Sequence, residues 1–392
     1  MTTVRDAIHQ DIHLSDLEAA IMASPEFQRL RRIRQLGFTS LVYPSATHTR
    51  FEHSLGTMHL AGQVCGALKL DEKTTSELRL AGMLHDIGHY PFSHIAPLEN
   101  LAEQTLKENH VTIGAEIIKN NFSGIIKEQG LSSHNIINAM QGKGRYGSIL
   151  SGGIDVDKMD YLVRDSHNTG TAYGFIDSSR LLSTVRWKNN TMCFDIKDVR
   201  NLESIMMARF MMFSTVYLHP SIKIAEAMFG RIIQDAVDLG LFSLKEFMRM
   251  DDWEATTIVK QAGINLSKRI ADLNDRKTYK AGAFIMPKDI DSKTRTKYIN
   301  LSKDQVKIRI LEKEIAETLK LDDLVINIDP KIKTHENIFL LDGSKIRPLE
   351  EISQFAKTLE SQQFASWKIS FCTPTMDAKT AERAKKEFLK RI

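Results

Sequence analysis

Apolar residues recur at intervals of three and four along most of the first 265 residues. The spacing is clearest in three segments, residues 78–88, 110–122 and 201–242. It predicts amphipathic helices that each bury one face. The glycine-rich stretch 141–153 predicts a loop, and residues 187–196 predict a short hairpin with two asparagines at its turn. We therefore expect residues 1–265 to form one all-α domain.

The pattern changes after about residue 278, where short apolar runs typical of strands alternate with helical segments. Four strands are predicted, in residues 280–287, 324–329, 337–343 and 367–374. Helices are predicted between and after them, in residues 303–320, 349–361 and 377–392. Residues 266–392 are thus expected to form a smaller α+β region, and the fold class of the whole chain is expected to be mainly α.

With 42% hydrophobic and 26% charged residues, the composition is that of a soluble globular protein. No apolar run approaches the length of a membrane span, and the first residues lack the apolar stretch of a signal peptide. Cys65, Cys193 and Cys372 are scattered, which fits a reducing compartment and excludes a thiolate zinc site. We expect a cytoplasmic protein without a membrane partner. Its net charge of +4 suits polyanionic ligands, from nucleotides to nucleic acid.

Histidines are concentrated in one part of the chain, since seven of the 13 lie between residues 48 and 110. Two otherwise apolar segments, 50–62 and 83–94, hold most of these seven. The apolar residues before His85 predict a helix that ends soon afterwards at a proline, so His85 and Asp86 lie near its buried end. A hydrogen-bonded core pair is one interpretation. A divalent metal is the other, because imidazole and carboxylate bind Zn, Fe, Mn or Ni.

A second group of polar residues lies on one face of the helix predicted within residues 153–165. Five charged or aromatic residues share this face: Asp157, Lys158, Tyr161, Arg164 and Asp165. A solvated helix face is the simplest interpretation of such a segment in isolation. The tyrosine and the preceding glycine-rich loop instead favour one wall of a phosphate-binding cleft. A carboxylate here, together with His53 upstream, also favours the metal interpretation of His85 and Asp86.

Three motifs, in this order, resemble those of the HD-superfamily phosphohydrolases: RFEHSLG at 50–56, HDIGHYPFSH at 85–94 and DVDKMDYLVRD at 155–165. They resemble in particular the deoxynucleoside triphosphate triphosphohydrolases, the branch that includes the vertebrate enzyme joining a SAM domain to an HD domain. The segment FQRLRRIRQLG at 27–37 is similar to the helix that precedes the metal site in that branch. The resemblance implies that residues 1–265 form an HD-domain helical bundle.

The resemblance implies one divalent metal ion and leaves open whether it is Mn, Fe, Zn, Ni or Mg. The implied metal ligands are His53, His85, Asp86 and Asp157. The implied catalytic residues at the α-phosphate are His89, His94 and His110, and either of the last two could protonate the departing 5′-oxygen. The implied substrate contacts are Arg50, Lys158 and Tyr161 to the triphosphate, Gln35, Leu36 and Asp165 to the sugar, and His219 to phosphate and sugar.

The implied reaction is hydrolysis of a dNTP at the α-phosphorus, which gives a deoxynucleoside and inorganic triphosphate. In the implied complex Gln35 and Asp165 bind the 3′-hydroxyl, and Leu36 crowds a 2′-hydroxyl. The expected partners are therefore a nucleotide substrate, a nucleotide activator and further copies of the chain in a dimer or tetramer.

Several positions depart from the family pattern. Pro97 and Val111 stand where acidic partners of the two candidate acid histidines are usual, so we expect a weakened acid. Thr215 and Lys223 replace an arginine and a tyrosine that contact the nucleotide, although Tyr217 could compensate. Ahead of the 27–37 segment, Ala23 replaces an aspartate that reads the activator, while Gln28 and Arg31 of the activator contacts remain.

Two other functions stay open at this point. The same metal centre could attack a phosphodiester, which would make the protein a phosphodiesterase or nuclease acting on cyclic nucleotides or nucleic acid. A non-catalytic nucleotide sensor is the other alternative, favoured by Pro97 and Val111. Outside the motifs, His9 has no partner pattern and is assigned no role, and His59 is expected to be a core or boundary residue.

Overall fold

The computed structural model describes residues 2–174, 176–329, 337–362, 367–374 and 377–392. Helices dominate these residues, so the mainly α fold class is confirmed. The first fifteen α-helices are α1 Asp16–Met22, α2 Pro25–Gln28, α3 Arg50–Ala67, α4 Glu72–Leu84, α5 Ala96–Thr105, α6 His110–Ile117, α7 Ser123–Glu128, α8 Ser133–Met140, α9 Val156–Thr169, α10 Ser178–Thr184, α11 Val199–Met212, α12 Pro220–Asp238, α13 Leu244–Phe247, α14 Asp252–Gln261 and α15 Ile264–Asn274. They are followed by α16 Ser292–Ser302, α17 Gln305–Leu319, α18 Leu349–Ile352, α19 Gln354–Ser361 and α20 Ala378–Arg391. None of the described helices is long and apolar enough to cross a lipid bilayer.

Short strands in the described residues form three small sheets. The strands are β1 Thr2–Asp6, β2 Gln10–Leu14, β3 Val185–Lys188, β4 Thr191–Asp195, β5 Lys280–Ile285, β6 Val325–Ile328, β7 Phe339–Asp342, β8 Lys345–Pro348 and β9 Ile369–Thr373. One sheet is the β1–β2 hairpin, the second has the order β3–β4–β7–β8, and the third has the order β5–β9–β6. The four strands predicted after residue 278 are present as β5, β6, β7 and β9.

Strands occur at two places in the described part of residues 1–265, the segment expected to form an all-α domain. The hairpin predicted in 187–196 is present as β3–β4, and the asparagines at its turn have the positive φ angles that a tight hairpin turn requires. The β1–β2 hairpin was not predicted. Its strand β2 buries Ile12 and Leu14 while His13 between them is exposed, a run too short to stand out from the helical pattern.

Elements on the two sides of residue 265 are packed together. Strand β4 pairs in parallel with β7, so that one sheet contains strands from both expected regions. Arg231 on α12 forms a buried ion pair with Glu312 on α17, and Phe229 shares a hydrophobic core with Cys372. The division into residues 1–265 and 266–392 therefore stays a prediction about sequence segments.

Three helices form the frame of the candidate site. Helix α3 begins with a capping box between Thr49 and Glu52, and α4 begins at Asp71, whose carboxylate accepts the backbone N–H of Thr74. Helices α3 and α4 pack closely along their lengths, and α9 lies against α3. The contact with α9 depends on Gly56, because a Cβ atom there would lie 1.9 Å from an Asp160 oxygen. Small residues thus bring the site-bearing helices into direct contact.

Candidate metal and phosphate site

The four predicted metal ligands lie beside one another between α3, α4 and α9. His53 and His85 face each other with their Nε2 atoms 3.2 Å apart. An Asp157 oxygen lies 3.1 Å from Nε2 of His53 and 3.7 Å from Nε2 of His85. The Asp86 oxygens lie 3.7 and 3.2 Å from the same two nitrogens. We refer to these four side chains as the candidate metal site.

The hydrogen bonds of the two imidazoles leave the right atoms free for a metal. Nδ1 of His85 donates to the carbonyl oxygen of Gly82 at 2.7 Å, and Nδ1 of His53 donates to a carboxylate oxygen of Asp160 at 2.7 Å. In its neutral form each ring therefore presents the lone pair of Nε2 to the centre of the site. Donor atoms from His53, His85 and Asp157 all lie within 4.8 Å of one another, which fits bonds of about 2.0–2.4 Å to one cation.

The ionised carboxylates of the site also need a positive charge nearby to balance them. Burial opposes the charged form of His53, but hydrogen bonds to Asp157 and Asp160 outweigh burial and raise its pKa to about 10. Burial likewise opposes ionisation of Asp86, yet Arg50 and His85 hold the pKa of Asp86 well below its usual range. The carboxylates are thus ionised, and either protons on the imidazoles or a bound cation can balance them.

Arg50 is buried beside the candidate metal site. Its Nη1 donates to Asp86 at 2.5 Å, and its Nε donates to the hydroxyl of Ser93 at 2.7 Å. The remaining Nη2 is buried and has no hydrogen-bond partner among the described residues. An unpaired donor of a buried guanidinium is costly and favours an anionic ligand next to the candidate metal site.

The three predicted catalytic histidines lie together on one side of the site. His89 contacts Asp86 at 3.2 Å, stacks on His110 with ring centroids 4.0 Å apart, and lies 5.1 Å from His94 by the same measure. Burial and the nearby Arg50 hold the pKa of His89 well below its usual range. Burial also lowers the pKa of His110 to about 4. Both rings are therefore neutral near pH 7.

The expected loss of a carboxylate partner is wrong for His94. Nδ1 of His94 lies 3.5 Å from a carboxylate oxygen of Glu99, although the usual acidic position holds Pro97. Left-handed backbone at Phe92 and at His94 turns the loop, so that the first turn of α5 brings Glu99 to the ring. Despite burial, the bond to His94 lowers the pKa of Glu99 to about 2. For His110 the expectation holds among the described residues, because none of their carboxylates lies within 4 Å of its ring nitrogens.

Two of the residues predicted to bind the triphosphate, Lys158 and Tyr161, lie on α9. The ammonium of Lys158 donates to Asp155 at 2.6 Å and to the carbonyl oxygen of Gly152 at 3.1 Å. It is therefore held at the start of α9 rather than against the candidate metal ligands. Tyr161 lies on the next turn of α9, with its ring centroid 6.5 Å from that of Tyr217. The triphosphate roles of Lys158 and Tyr161 stay predictions.

The predicted sugar contacts surround a histidine that the motifs did not single out. His48 donates from Nε2 to Asp165 at 2.8 Å, and Tyr217 donates to the other Asp165 oxygen at 2.7 Å. The backbone N–H of Gln35 donates to the carbonyl oxygen of His48 at 3.0 Å. The amide oxygen of Gln35 is buried without a partner in the described part of the chain, and half-buried Leu36 follows it. Tyr217 thus joins this group through Asp165, and its role as a compensating contact stays a prediction.

The remaining predicted contact, His219, caps the start of α12. Its Nδ1 accepts the backbone N–H of Ser221 at 3.3 Å, and its ring lies 6.3 Å from that of Tyr43 between centroids. Lys223, one turn later, forms a buried ion pair with Glu226. The phosphate and sugar role of His219 therefore stays a prediction.

The activator contacts are likewise untested. Arg31 donates to the side chain of Gln28 at 2.9 Å, and its guanidinium lies 3.5 Å from the ring centroid of Phe51. Both residues are thus engaged within the chain. Activation by a nucleotide and assembly into a dimer or tetramer stay predictions.

The sequence did not reveal two residues that shape the site. Asp160, one turn after Asp157, binds the ring of His53, and the only signal was its place inside the third motif. Arg29 donates to the carbonyl oxygens of Ile87 at 2.9 Å and of His89 at 2.8 Å, and so holds the loop after α4. Arg29 and this loop are about 60 positions apart, so the spacing of apolar residues within one helix could not predict their contact.

Comparisons with known proteins agree with this site. The family model described as "HD domain" matches residues 50–165, which contain all four side chains of the candidate metal site, and the model described as "HD associated region" matches residues 176–391. The chain is 35% identical to an uncharacterized protein of Methanocaldococcus jannaschii over 379 residues, which cover 95% of this chain and 79% of that protein.

A second relative and a solved structure give the family and the fold. The chain is 30% identical to the deoxynucleoside triphosphate triphosphohydrolase SAMHD1 homolog of Dictyostelium discoideum, with 83% of this chain and 69% of that protein covered. A crystal structure of a hypothetical protein from Aquifex aeolicus superposes with a TM-score of 0.76 at 25% identity, covering 98% of this chain and 99% of that chain. The protein described here therefore belongs to the HD-domain phosphohydrolase superfamily, with an HD domain followed by an HD-associated region.

Proposed function

We propose that the protein is a metal-dependent triphosphohydrolase that cleaves dNTPs at the α-phosphate to a deoxynucleoside and inorganic triphosphate. The observation that carries the proposal is the meeting of two imidazole Nε2 atoms with oxygens of two carboxylates beside a buried guanidinium. Similarity to the triphosphohydrolase of Dictyostelium discoideum supports the choice of substrate.

His53, His85, Asp86 and Asp157 would hold the cation. Two imidazole nitrogens and two carboxylates form a mixed donor set that suits Mn, Fe, Zn or Ni. Mg²⁺ binds imidazole less readily, because it prefers oxygen ligands. When bound, the cation would lower the pKa of a coordinated water and stabilise charge on phosphoryl oxygens. The carboxylate of Asp160 and the carbonyl oxygen of Gly82 keep both rings in the tautomer that binds metal.

A triphosphate needs cationic donors because it carries close to four negative charges. Nη2 of Arg50 is the buried donor that a phosphate oxygen next to the metal would satisfy. Lys158 and Tyr161 extend the polar surface along α9, and Lys158 would exchange its bond to Asp155 for one to a phosphate. These groups position the α-phosphorus for in-line attack by water, with cleavage of its bond to the 5′-oxygen.

His94 is the residue best suited to protonate the departing 5′-oxygen. Its side chain is 59% exposed and its Nδ1 faces Glu99, so the carboxylate can orient the ring and leave Nε2 for the substrate. His89 and His110 are neutral near pH 7 because burial lowers the pKa of each. We therefore assign His89 and His110 the role of positioning the α-phosphate and the ring of His94.

Replacing Glu99 tests the assignment of the acid. Glu99→Gln removes the carboxylate that lies 3.5 Å from Nδ1 of His94, so the ring should be held less firmly toward the departing 5′-oxygen. The kcat at pH 8 should fall about 10- to 100-fold, with little change in KM or in Mn²⁺ binding. Steady-state kinetics measure this. Glu103→Gln, on the exposed surface of the same helix, is the matched control, and an unchanged kcat in Glu99→Gln would contradict the role of His94.

The group around His48 accounts for selection of a deoxyribose. The 3′-hydroxyl would donate its one proton to Asp165 or to the unpaired amide oxygen of Gln35, while Leu36 occupies space beside them. Leu36→Ala should therefore raise kcat/KM for NTPs relative to dNTPs by about 10-fold or more, since one or two methylenes in a pocket are worth 1–3 kcal/mol. Parallel assays with dGTP and GTP measure the ratio. A ratio equal to that of the wild type would exclude Leu36 as the group that senses the 2′-position.

The products decide between the proposed reaction and its alternatives. In H₂¹⁸O with Mn²⁺, attack on the α-phosphorus should give unlabelled deoxynucleoside and triphosphate carrying one ¹⁸O, as measured by mass spectrometry. Pyrophosphate plus a monophosphate would indicate a different bond. Cleavage of a labelled oligonucleotide without dNTP turnover would indicate a nuclease, and nucleotide binding without turnover would indicate a sensor.

A further inference from the structure

The N-terminal hairpin β1–β2 contacts Asp160, the residue that hydrogen-bonds the ring of His53 in the candidate metal site. His9, in the turn between β1 and β2, places its Nε2 2.6 Å from one carboxylate oxygen of Asp160. The other oxygen of Asp160 accepts the Nδ1 proton of His53 at 2.7 Å. A chain of two hydrogen bonds thus connects a residue 44 positions before His53 to the ring that faces the metal position.

The turn that carries His9 is tied to the same network. One oxygen of Asp6 accepts the backbone N–H groups of Ile8 at 2.9 Å and of His9 at 2.8 Å. The Asp6 carboxylate also accepts two hydrogen bonds from Arg164, at 2.8 and 3.2 Å. Arg164 in turn donates to both oxygens of Asp160, at 2.8 and 2.9 Å. Through Asp6 the hairpin therefore orients both His9 and Arg164, the two residues that hydrogen-bond Asp160 from this side.

Asp160 has little freedom to find other partners. Its side chain is 0% exposed, so water cannot replace a lost hydrogen bond without entering the core. The backbone of α3 presses on it at Gly56, where a Cβ atom would lie 1.9 Å from its oxygen. The orientation of this carboxylate is consequently set by His9, Arg164 and His53 alone among the described residues.

We propose that His9 is a positioning residue of the metal site, acting through Asp160 on the ring of His53. The hairpin lies outside the HD-domain segment 50–165, so that metal affinity in this chain depends on a segment that precedes the domain. This inference rests on the proposed metal site. A carboxylate that orients a metal-bound imidazole typically contributes 10- to 100-fold to metal affinity, and losing its own partner allows it to turn away from the imidazole.

The test is a titration of the full chain with Mn²⁺ alone, in which electron paramagnetic resonance measures free Mn²⁺ without substrate. His9→Ala should weaken Mn²⁺ binding about 10-fold or more. His9→Gln should bind within about threefold of the wild type, because the amide nitrogen of Gln replaces the Nε2 donor of His. His9→Asn, which is too short to reach Asp160, should behave as His9→Ala.

The matched control is His13→Ala in the same hairpin. His13 is exposed and hydrogen-bonds Thr3 at 3.0 Å, so its loss weakens the hairpin without touching Asp160. Thermal unfolding of each metal-free variant separates stability from affinity. Wild-type Mn²⁺ affinity in His9→Ala, or equal weakening in His9→Gln and His13→Ala, would overturn the positioning role. A wild-type protein that binds no Mn²⁺ would overturn the metal site itself, and the inference with it.

Discussion

Asp157→Asn should lower kcat/KM for dNTP hydrolysis by about 10³-fold or more and should abolish tight Mn²⁺ binding. One oxygen of Asp157 faces Nε2 of both His53 and His85, so the neutral amide removes a charge that two imidazoles and a cation share. A metal supplies several kcal/mol of stabilisation to the phosphoryl transition state, and each 1.4 kcal/mol corresponds to a factor of about ten. Steady-state kinetics and Mn²⁺ titration measure the two effects.

Asp195→Asn is a suitable control for this substitution. The Asp195 side chain is 30% exposed, close to the 32% of Asp157, and it lies at the end of β4 outside the candidate metal site. It caps a short turn by accepting the N–H of Lys197, which asparagine can also do. Activity of Asp157→Asn within tenfold of the wild type would rule out Asp157 as a metal ligand.

Arg164→Met should lower the free energy of unfolding by about 3–5 kcal/mol, the largest stability effect expected for a single substitution near the site. The guanidinium is 1% exposed and pairs with Asp6 and Asp160, both of which are buried. Methionine of similar length removes the charge and leaves two carboxylates in the core without their cation. Urea-induced unfolding of the metal-free protein measures the change.

The comparison with an exposed pair makes this prediction specific. Arg5, with a side chain 70% exposed, pairs with Asp11 at 3.0 Å. Arg5→Met should cost less than about 1 kcal/mol, because water screens and replaces such a pair. A loss in Arg164→Met no larger than that in Arg5→Met would mean that the buried network contributes little to stability.

The parts of the site that local sequence could reveal are those carried by continuous motifs. His85 and Asp86 end an apolar helix, and the polar face of α9 followed from helical spacing around Asp157. Their meeting with His53 was expected from family resemblance, since no local pattern brings α3, α4 and α9 together. The same limit applies to His9, whose partner Asp160 lies 151 positions away.

Glu99 illustrates a different limit. The family pattern puts the acidic partner of His94 at position 97, two residues before Glu99, and this count assumes that the loop continues with ordinary backbone. Phe92 and His94 instead adopt positive φ angles, which non-glycine residues seldom do without support from surrounding structure. Here Asp252 accepts the N–H of Phe92 at 2.7 Å from a helix 160 positions away. The loop geometry, and with it the partner of His94, thus depends on tertiary contacts.

The N-terminal segment and the sheets were also beyond local patterns. Strand β1 carries little hydrophobic alternation, and its pairing with β2 is fixed by the burial of Ile12 and Leu14 against helices that follow. The parallel pairing of β4 with β7 joins residues almost 150 positions apart. The strands β3 to β7 and β9 were predictable from the composition of each run, whereas β1, β2 and β8 and the choice of strand partner were not.

The most direct test of the account is a crystal structure of the full chain grown with Mn²⁺, with anomalous diffraction data collected at the manganese edge. We predict one strong anomalous peak about 2.0–2.4 Å from Nε2 of His53, Nε2 of His85 and an oxygen each of Asp86 and Asp157. The absence of a peak there in a crystal of catalytically active protein, or a peak bound elsewhere, would contradict the claim that these four side chains hold the cation.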